Sequence, residues 1–172
     1  MIQPVVHRDS RGFFVETYQA DRYAAAGITA AFVQDNHSRS QRGTLRGLHW
    51  QVEPLAQAKL IRAVSGEIFD VAVDIRPGSP TFGRWVGVTI SSENFLQMFV
   101  PIGFAHGFCV VSEVAEVEYK CSAAYDPEAE RGLAWDDPDL AITWPTRTPT
   151  LSERDRSHQS LRDLKRTWAR SV

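Results

Sequence analysis

The chain has only two cysteines, Cys109 and Cys121, in 172 residues. Two thiols do not make the dense disulfide framework with which small secreted folds replace a core. They suit a reduced, cytoplasmic protein in which both stay free and buried. Long apolar runs are missing: no stretch approaches the ~20 residues that a membrane-spanning helix needs. The opening MIQPVVHRDSRGFF has neither the basic segment nor the apolar run of a secretory leader. Excess positive charge is absent too. A formal net charge of -2 argues against a nucleic-acid binder held by bulk charge, yet leaves room for a local basic groove around one diphosphate. Internal repeats, low-complexity tracts and linkers are also lacking, and neither H-x-H nor H-E-x-x-H occurs.

What is present is an ordinary globular balance, 43% hydrophobic and 23% charged, enough for one domain over residues 1–172. Between Thr44 and Trp144 short strand-like runs alternate with turns. KLIRAVSGEIFDVAVDIR reads as two strands joined in a hairpin at Ser65-Gly66. Side chains alternate along a strand, so Phe69, Val71 and Val73 share one face and Asp70, Ala72 and Asp74 the other. RPGSPTFG is a turn cluster. RWVGVTIS and NFLQMFVP are further strands, and PIGFAHGFCVVS is a turn entering another. In VAEVEYKCSAAY, Ala115, Val117, Tyr119 and Cys121 oppose Glu116, Glu118 and Lys120. Helices are expected only over DRYAAAG and SLRDLKRTWARS. This pattern predicts an all-β fold, a jelly-roll sandwich or barrel with a few short peripheral helices. Inward positions of several strands would converge at its mouth.

Several polar residues carry two readings. His49, in RGLHWQ, shares a face by alternation with Leu45, Gly47 and Gln51; it is either a satisfied strand histidine or a base poised near neutral pH. Lys59, in phase with Ile61 and Ala63, is either an edge lysine that blocks aggregation or an inward ammonium. Tyr119, in phase with Val117 and Cys121, is a half-buried rim tyrosine or a proton donor held in a cavity. His106 sits among small residues in a turn, where backbone approaches a ligand closely. A cupin-like roll would bring His49 and His106 together as metal ligands. Against that, the residue two after His49 is Gln51, and a protonated lysine ligates poorly. Arg11, the QDNHS stretch from Gln34 to Ser38, and Arg46 read separately as surface or turn chemistry; together they could clamp a phosphorylated ligand.

These segments resemble, in order and spacing, the dTDP-4-dehydrorhamnose 3,5-epimerase family of cupins. The matching runs are D-x-RGFF-x-E from Asp9, FVQDNHSRS from Phe32, RGLHWQ from Arg46, Q-x-KL from Gln57 and GEIFDVAVDIR from Gly66. They continue with SPTFG from Ser79, P-x-GFAHGF from Pro101, EYK from Glu118, WDDPDL from Trp135 and S-x-x-D from Ser152. The resemblance implies a cupin homodimer acting on a dTDP-4-keto-6-deoxyhexose without metal or organic cofactor, and with no nucleic-acid or membrane partner. His49 matches the family's general base, Asp155 the carboxylate paired with it, Tyr119 the general acid across the sugar, and Lys59 the residue beside the C4 oxygen. Arg46, Gln34 and Asn36 match substrate-contacting positions, to which Gln51 and His106 are added. Arg11, Phe14 and Glu16 match positions that reach the nucleotide, in one arrangement from the partner subunit; Tyr125 matches an aromatic near the thymine. Trp50 departs from the tyrosine common in relatives and, by alternation, faces away from His49. Relatives also carry an extra leading strand before RGFF.

The implied chemistry is proton removal next to a ketone. It needs a base, a stabilised enolate oxygen (an effect of about 3 kcal/mol by analogy with an oxyanion donor) and a second group that returns the proton from the other face. Strict alternation puts Arg46 and His49 on opposite faces. A bulge at Gly47, or a rim strand, would let both reach substrate. The alternatives are a 3- or 5-monoepimerase of antibiotic-sugar synthesis, a metal-dependent cupin oxygenase or isomerase using His49 and His106, and a non-catalytic sugar-nucleotide binding module.

Overall fold

Residue alternation sorts the chain into two apolar clusters, and these fix the architecture. The computed structural model describes residues 1–169. In chain order the elements are β1 (Val6–Asp9), β2 (Gly12–Val15), α1 (Ala20–Ala25), β3 (Gln34–Gln41), β4 (Leu45–Gln51), β5 (Lys59–Ser65) and β6 (Glu67–Asp74). Then follow β7 (Trp85–Ser91), β8 (Gln97–Val100), β9 (Phe104–Val110), β10 (Val114–Cys121), β11 (Glu130–Gly132), α2 (Glu153–Arg156) and α3 (Leu161–Ala169). A four-stranded sheet runs β3-β10-β5-β8, a five-stranded sheet β11-β4-β9-β6-β7, and β1 and β2 pair only with each other. All strand pairs are antiparallel. This is the all-β sandwich of jelly-roll kind that the turn spacing predicts.

The first cluster lies between the sheets. Ile61, Ala63, Val117 and Ala115 from the four-stranded sheet meet Ile68, Ala72, Ile90, Phe108 and Val110 from the other. The second covers the outer face of the five-stranded sheet, where Val71, Val73, Leu45, Leu48 and Trp50 pack under Leu140, Trp144, Leu161 and Leu164. Indole hydrogen bonds strap this cover down: Trp85 Nε1 donates to Leu140 O at 2.9 Å and Trp144 Nε1 to Trp135 O at 2.8 Å. Both faces of β6 are therefore buried. Its Asp70 and Ala72 face points into the sandwich, and its Phe69, Val71 and Val73 face lies under the C-terminal segment.

Two expectations are corrected. Ser65-Gly66 is a turn, with Gly66 at φ +74°, but β5 and β6 do not form a hairpin. They belong to different sheets, and the chain crosses the sandwich there. His106 lies within β9 rather than in a turn, and is 6% exposed. The turn predicted from PIGF ends at Gly103 (φ +85°), before the strand starts. The α1 and α3 segments are where the sequence places them. The last residues of the SLRDLKRTWARS segment, 170 and 171, lie outside the described residues.

Candidate active site

The five-stranded sheet carries the predicted base, His49, and helix α2 brings the predicted carboxylate, Asp155, to it. A register shift between Arg46 and His49 breaks the β4–β9 pairing, and Gly47 sits there at φ +128°. A Cβ at Gly47 would lie 2.5 Å from Gly107 Cα and 2.8 Å from His106 O, so only glycine fits. This bulge resolves the phase conflict in RGLHWQ. Leu45, Leu48 and Trp50 point into the outer core, so Leu45 does not share the His49 face as simple alternation predicts. His49 instead faces inward, directly across from His106. Trp50 faces away from it, as expected.

His49 Nε2 lies 2.6 Å from Asp155 Oδ1. Asp155 is delivered by α2, whose N-cap Ser152 accepts the Asp155 N–H on its hydroxyl at 3.1 Å; the S-x-x-D run is a helix cap. The Asp155 side chain is 4% exposed and that of His49 16%. Burial lowers the pKa of His49, with Asp155 and then Glu130 opposing it. Burial pushes Asp155 up, but hydrogen bonds from His158 and His49 outweigh it and hold the carboxyl below its usual range. The resting pair is therefore a neutral imidazole beside a carboxylate. With Nε2–H donated to Asp155, Nδ1 carries the lone pair.

The four-stranded sheet carries the predicted acid, Tyr119, and the predicted ammonium, Lys59. Tyr119 is in register with Ile61 and Asn36, and Cys121 with Lys59 and Gln34. All therefore share the inward face. Lys59 lies on an interior strand, not at an edge. Burial lowers its pKa, while Cys121, Glu130 and Asp70 act to raise it. Burial raises the phenol of Tyr119, with Cys121 and Glu130 adding to the shift. The charge of Glu130 acts on His49, Lys59 and Tyr119 alike, and that of Lys59 acts on His49 across the two sheets. Asn36 Nδ2 donates to Cys121 Sγ at 3.5 Å and its amide oxygen accepts from Gln34 at 3.0 Å. The opposite face of this sheet carries a charged cleft of about 190 Å³. Its ions pair among themselves, Lys120 with Asp35 and Arg62 with Glu118.

The other predicted residues divide. Arg46 reaches the rim and donates to Ser40 at 3.0 Å. Tyr125 is 48% exposed there, its hydroxyl 3.1 Å from Glu130 and its N–H on Gln34 Oε1 at 2.8 Å. The Gln51 amide is spent on backbone, donating to Leu55 and Ala124 and accepting from Asp126; it shapes the segment that presents Tyr125. His106 Nε2 is 2.7 Å from the fully buried Asp70. Arg11, Phe14 and Glu16 are not brought to this space. Arg11 pairs with Asp9 and Glu16 with Arg22; Phe14 is 69% exposed on the β1–β2 hairpin. Reading the sequence missed Glu130, its ion-pair partner Arg154, Asp70 and His158. Inward phase with Ala72 was the available signal for Asp70; for the others there was none.

His49 and His106 do not share a ligand site, because each ring is held by a different carboxylate. Among the described residues the one tight group of potential metal donors is His49, Asp155 and His158, whose atoms lie within 4.8 Å of one another. There both imidazoles point Nε2 at the same Asp155 oxygen, at 2.6 and 3.2 Å. Those are hydrogen-bond contacts, and the group reads as a proton-handling cluster.

The model of the dTDP-4-dehydrorhamnose 3,5-epimerase family matches residues 1–163. A dTDP-4-dehydrorhamnose 3,5-epimerase from Pseudomonas aeruginosa is 54% identical over 165 residues, covering 95% of this chain and 91% of the relative. Among solved structures, the dTDP-6-deoxy-D-glucose-3,5-epimerase of Legionella pneumophila in complex with dTDP-4-keto-L-rhamnose superposes with TM-score 0.90 at 52% identity. It covers 93% of this chain and 86% of that one. A 3'-monoepimerase from Streptomyces bikiniensis in complex with dTDP-quinovose gives TM-score 0.91 at 37% identity, over 96% and 84%. Matched by the family model over residues 1–163, and by relatives and solved structures over more than nine-tenths of its length, the chain belongs to the dTDP-4-dehydrorhamnose 3,5-epimerase family.

Proposed function

We propose that the protein is a dTDP-4-dehydrorhamnose 3,5-epimerase that inverts C3 and C5 of a dTDP-4-keto-6-deoxyhexose. The observation that supports it is the His49–Asp155 pair, a strand imidazole held by a carboxylate from α2, within electrostatic reach of Lys59 on the facing sheet, with Glu130 acting on His49, Lys59 and Tyr119. In this reading His49 Nδ1 takes the proton from the carbon next to the C4 ketone. The electron pair moves to the ketone oxygen, where the Lys59 ammonium stabilises the enolate. Asp155 fixes the His49 tautomer and stabilises the imidazolium. Tyr119 returns a proton from the opposite face, and its raised pKa keeps it protonated at neutral pH. Solvent then restores both groups. Because the C4 ketone activates both C3 and C5, one base and one acid serve both carbons if the ring turns.

Gln34, Asn36, Arg46 and Tyr125 would contact substrate at the rim, and no metal or organic cofactor takes part in the proposed steps. Arg11, Phe14 and Glu16 would act from a partner subunit, because the hairpin that carries them leaves Phe13 and Phe14 exposed; this proposes a homodimer. Site residues run from β3 to α2, which favours one domain. The two free thiols, and the lack among the described residues of any helix able to cross a membrane, fit a cytoplasmic enzyme.

The test is proton NMR of the product from dTDP-4-keto-6-deoxyglucose in deuterated water. Deuterium at both C3 and C5, with both centres inverted, is expected. Label at one carbon alone would move the assignment to the monoepimerase class.

A further inference from the structure

His158 plays no part in the chemistry above, yet it touches the carboxylate on which that chemistry depends. Its Nε2 lies 3.2 Å from Asp155 Oδ1, the oxygen that His49 Nε2 approaches at 2.6 Å. The two imidazoles stand edge to face, with centroids 5.3 Å apart and planes at 85°. The His158 side chain is 11% exposed, so water screens the contact little. Its place is built by Gly132, which is in register with His49 on β11. A Cβ at Gly132 would lie 2.3 Å from His158 Cε1 and Nδ1, so the missing side chain makes the room that the ring fills. The following residue is pinned as well, since Gln159 bridges to Leu133 and accepts the Ala134 N–H at 2.9 Å.

We propose that His158 is a positioning residue for the epimerase reaction: by donating to Asp155 Oδ1 it fixes the carboxylate and limits how strongly Asp155 retains a proton on His49. The inference rests on the reading of His49 as the base. One oxygen that accepts two N–H bonds binds each donor less strongly, because its charge is shared. A hydrogen bond that stabilises the carboxylate also makes it a weaker partner for the imidazolium. The ring further keeps water from the buried pair. Both effects act in one direction, keeping His49 neutral, and therefore competent as a base, to lower pH. The other titratable groups facing the pair are Glu130 from β11, Lys59 from β5, Arg154 from α2, and His106 from β9, which lies across from His49 and is held by Asp70 of β6. Glu130 and Arg154 are paired with each other.

The test reads the His49 imidazole directly, by nitrogen-15 NMR titration without substrate, in the wild type, His158→Ala and His158→Gln. In the wild type His158 is expected as the Nε2–H tautomer; a proton on Nδ1 with Nε2 bare overturns the proposal. In His158→Ala the His49 protonation midpoint should rise by about 0.5 to 1 pH unit, with the acid limb of kcat/KM following it. Glutamine, whose amide nitrogen reaches near the lost Nε2, should restore most of the shift. A midpoint unmoved in both variants overturns the proposal. If the alanine variant does not fold, the wild-type tautomer and the glutamine variant still decide. A titration that shifts in a wild-type chain unable to epimerise would instead sink the proposed function and leave the His158–Asp155 coupling standing.

Discussion

Asp155→Asn keeps the shape of the side chain and removes its charge. In the wild type that charge sits 2.6 Å from His49 Nε2 on a side chain 4% exposed, so solvent screens it little. A hydrogen bond to a buried charged partner is worth roughly 1.5–3 kcal/mol. At about 1.36 kcal/mol per decade this is roughly 10- to 150-fold in the stability of the imidazolium formed as the proton is taken. An asparagine that turns its amide nitrogen toward His49 also reverses the tautomer and places the lone pair on the wrong nitrogen. The loss then approaches the ~10⁴-fold seen when a triad aspartate is changed in this way. A fall of at least about 100-fold in kcat/KM is expected.

The pH profile gives an independent sign. Burial already lowers the pKa of His49, and Asp155 is the main influence opposing it. Without the carboxylate the pKa falls further, so the residual activity should keep its neutral base to lower pH and its acid limb should move down. Stability shows the complementary effect. The Asp155 carboxyl is held below its usual range in the folded chain, so its contribution is complete above the unfolded carboxyl pKa and is lost as pH falls through the depressed folded value. The asparagine variant should lack that acid-dependent loss. The assay is kcat/KM by product NMR from pH 5 to 9, with urea melts of both proteins. Activity within about threefold of wild type, or an acid limb that moves up, would refute the reasoning.

Lys59→Gln should lower kcat by about 100- to 1,000-fold, the cost of removing a preorganised enolate donor; steady-state kinetics with little change in dTDP affinity would confirm it. Tyr119→Phe should slow or narrow epimerisation while His49 still exchanges one hydrogen, so product NMR should show label without full inversion. Gly47→Ala places a side chain at φ +128° and 2.5 Å from Gly107 Cα, and a loss of about 3 kcal/mol in urea unfolding is expected. Asp74→Asn removes the acceptor of Arg76, Ser79 and Thr81 at the β6–β7 turn. A loss of about 2 kcal/mol is expected there. Arg76 first, with Ser79 and Thr81, holds that carboxyl low, so the difference between the two proteins should persist at neutral pH and shrink only in strong acid.

Where apolar alternation is strong, the sequence was enough. The β10 run VAEVEYKC set the inward face that carries Tyr119 and Cys121, and KLIRAV set Lys59 in phase with Ile61. β3, QDNHSRSQ, has no apolar residue and gave no strand signal. It is a strand because its backbone pairs with β10 along its whole length and its inward Gln34 and Asn36 find hydrogen-bond partners. The Gly47 bulge was legible only as a conflict, since two candidate residues fell on opposite faces. The Ser65-Gly66 hairpin failed because turn residues report a change of direction and not the sheet that receives the next strand. His158 was invisible because its role depends on a missing side chain at Gly132, far from it in sequence.

The most direct measurement is deuterium wash-in at C3 and C5 of dTDP-4-keto-6-deoxyglucose with His49→Ala, read beside the dissociation constant for dTDP. The account predicts that exchange at both carbons stops while the nucleotide binds within about threefold of wild type. Continued exchange at either carbon at the wild-type rate would remove the imidazole from the reaction.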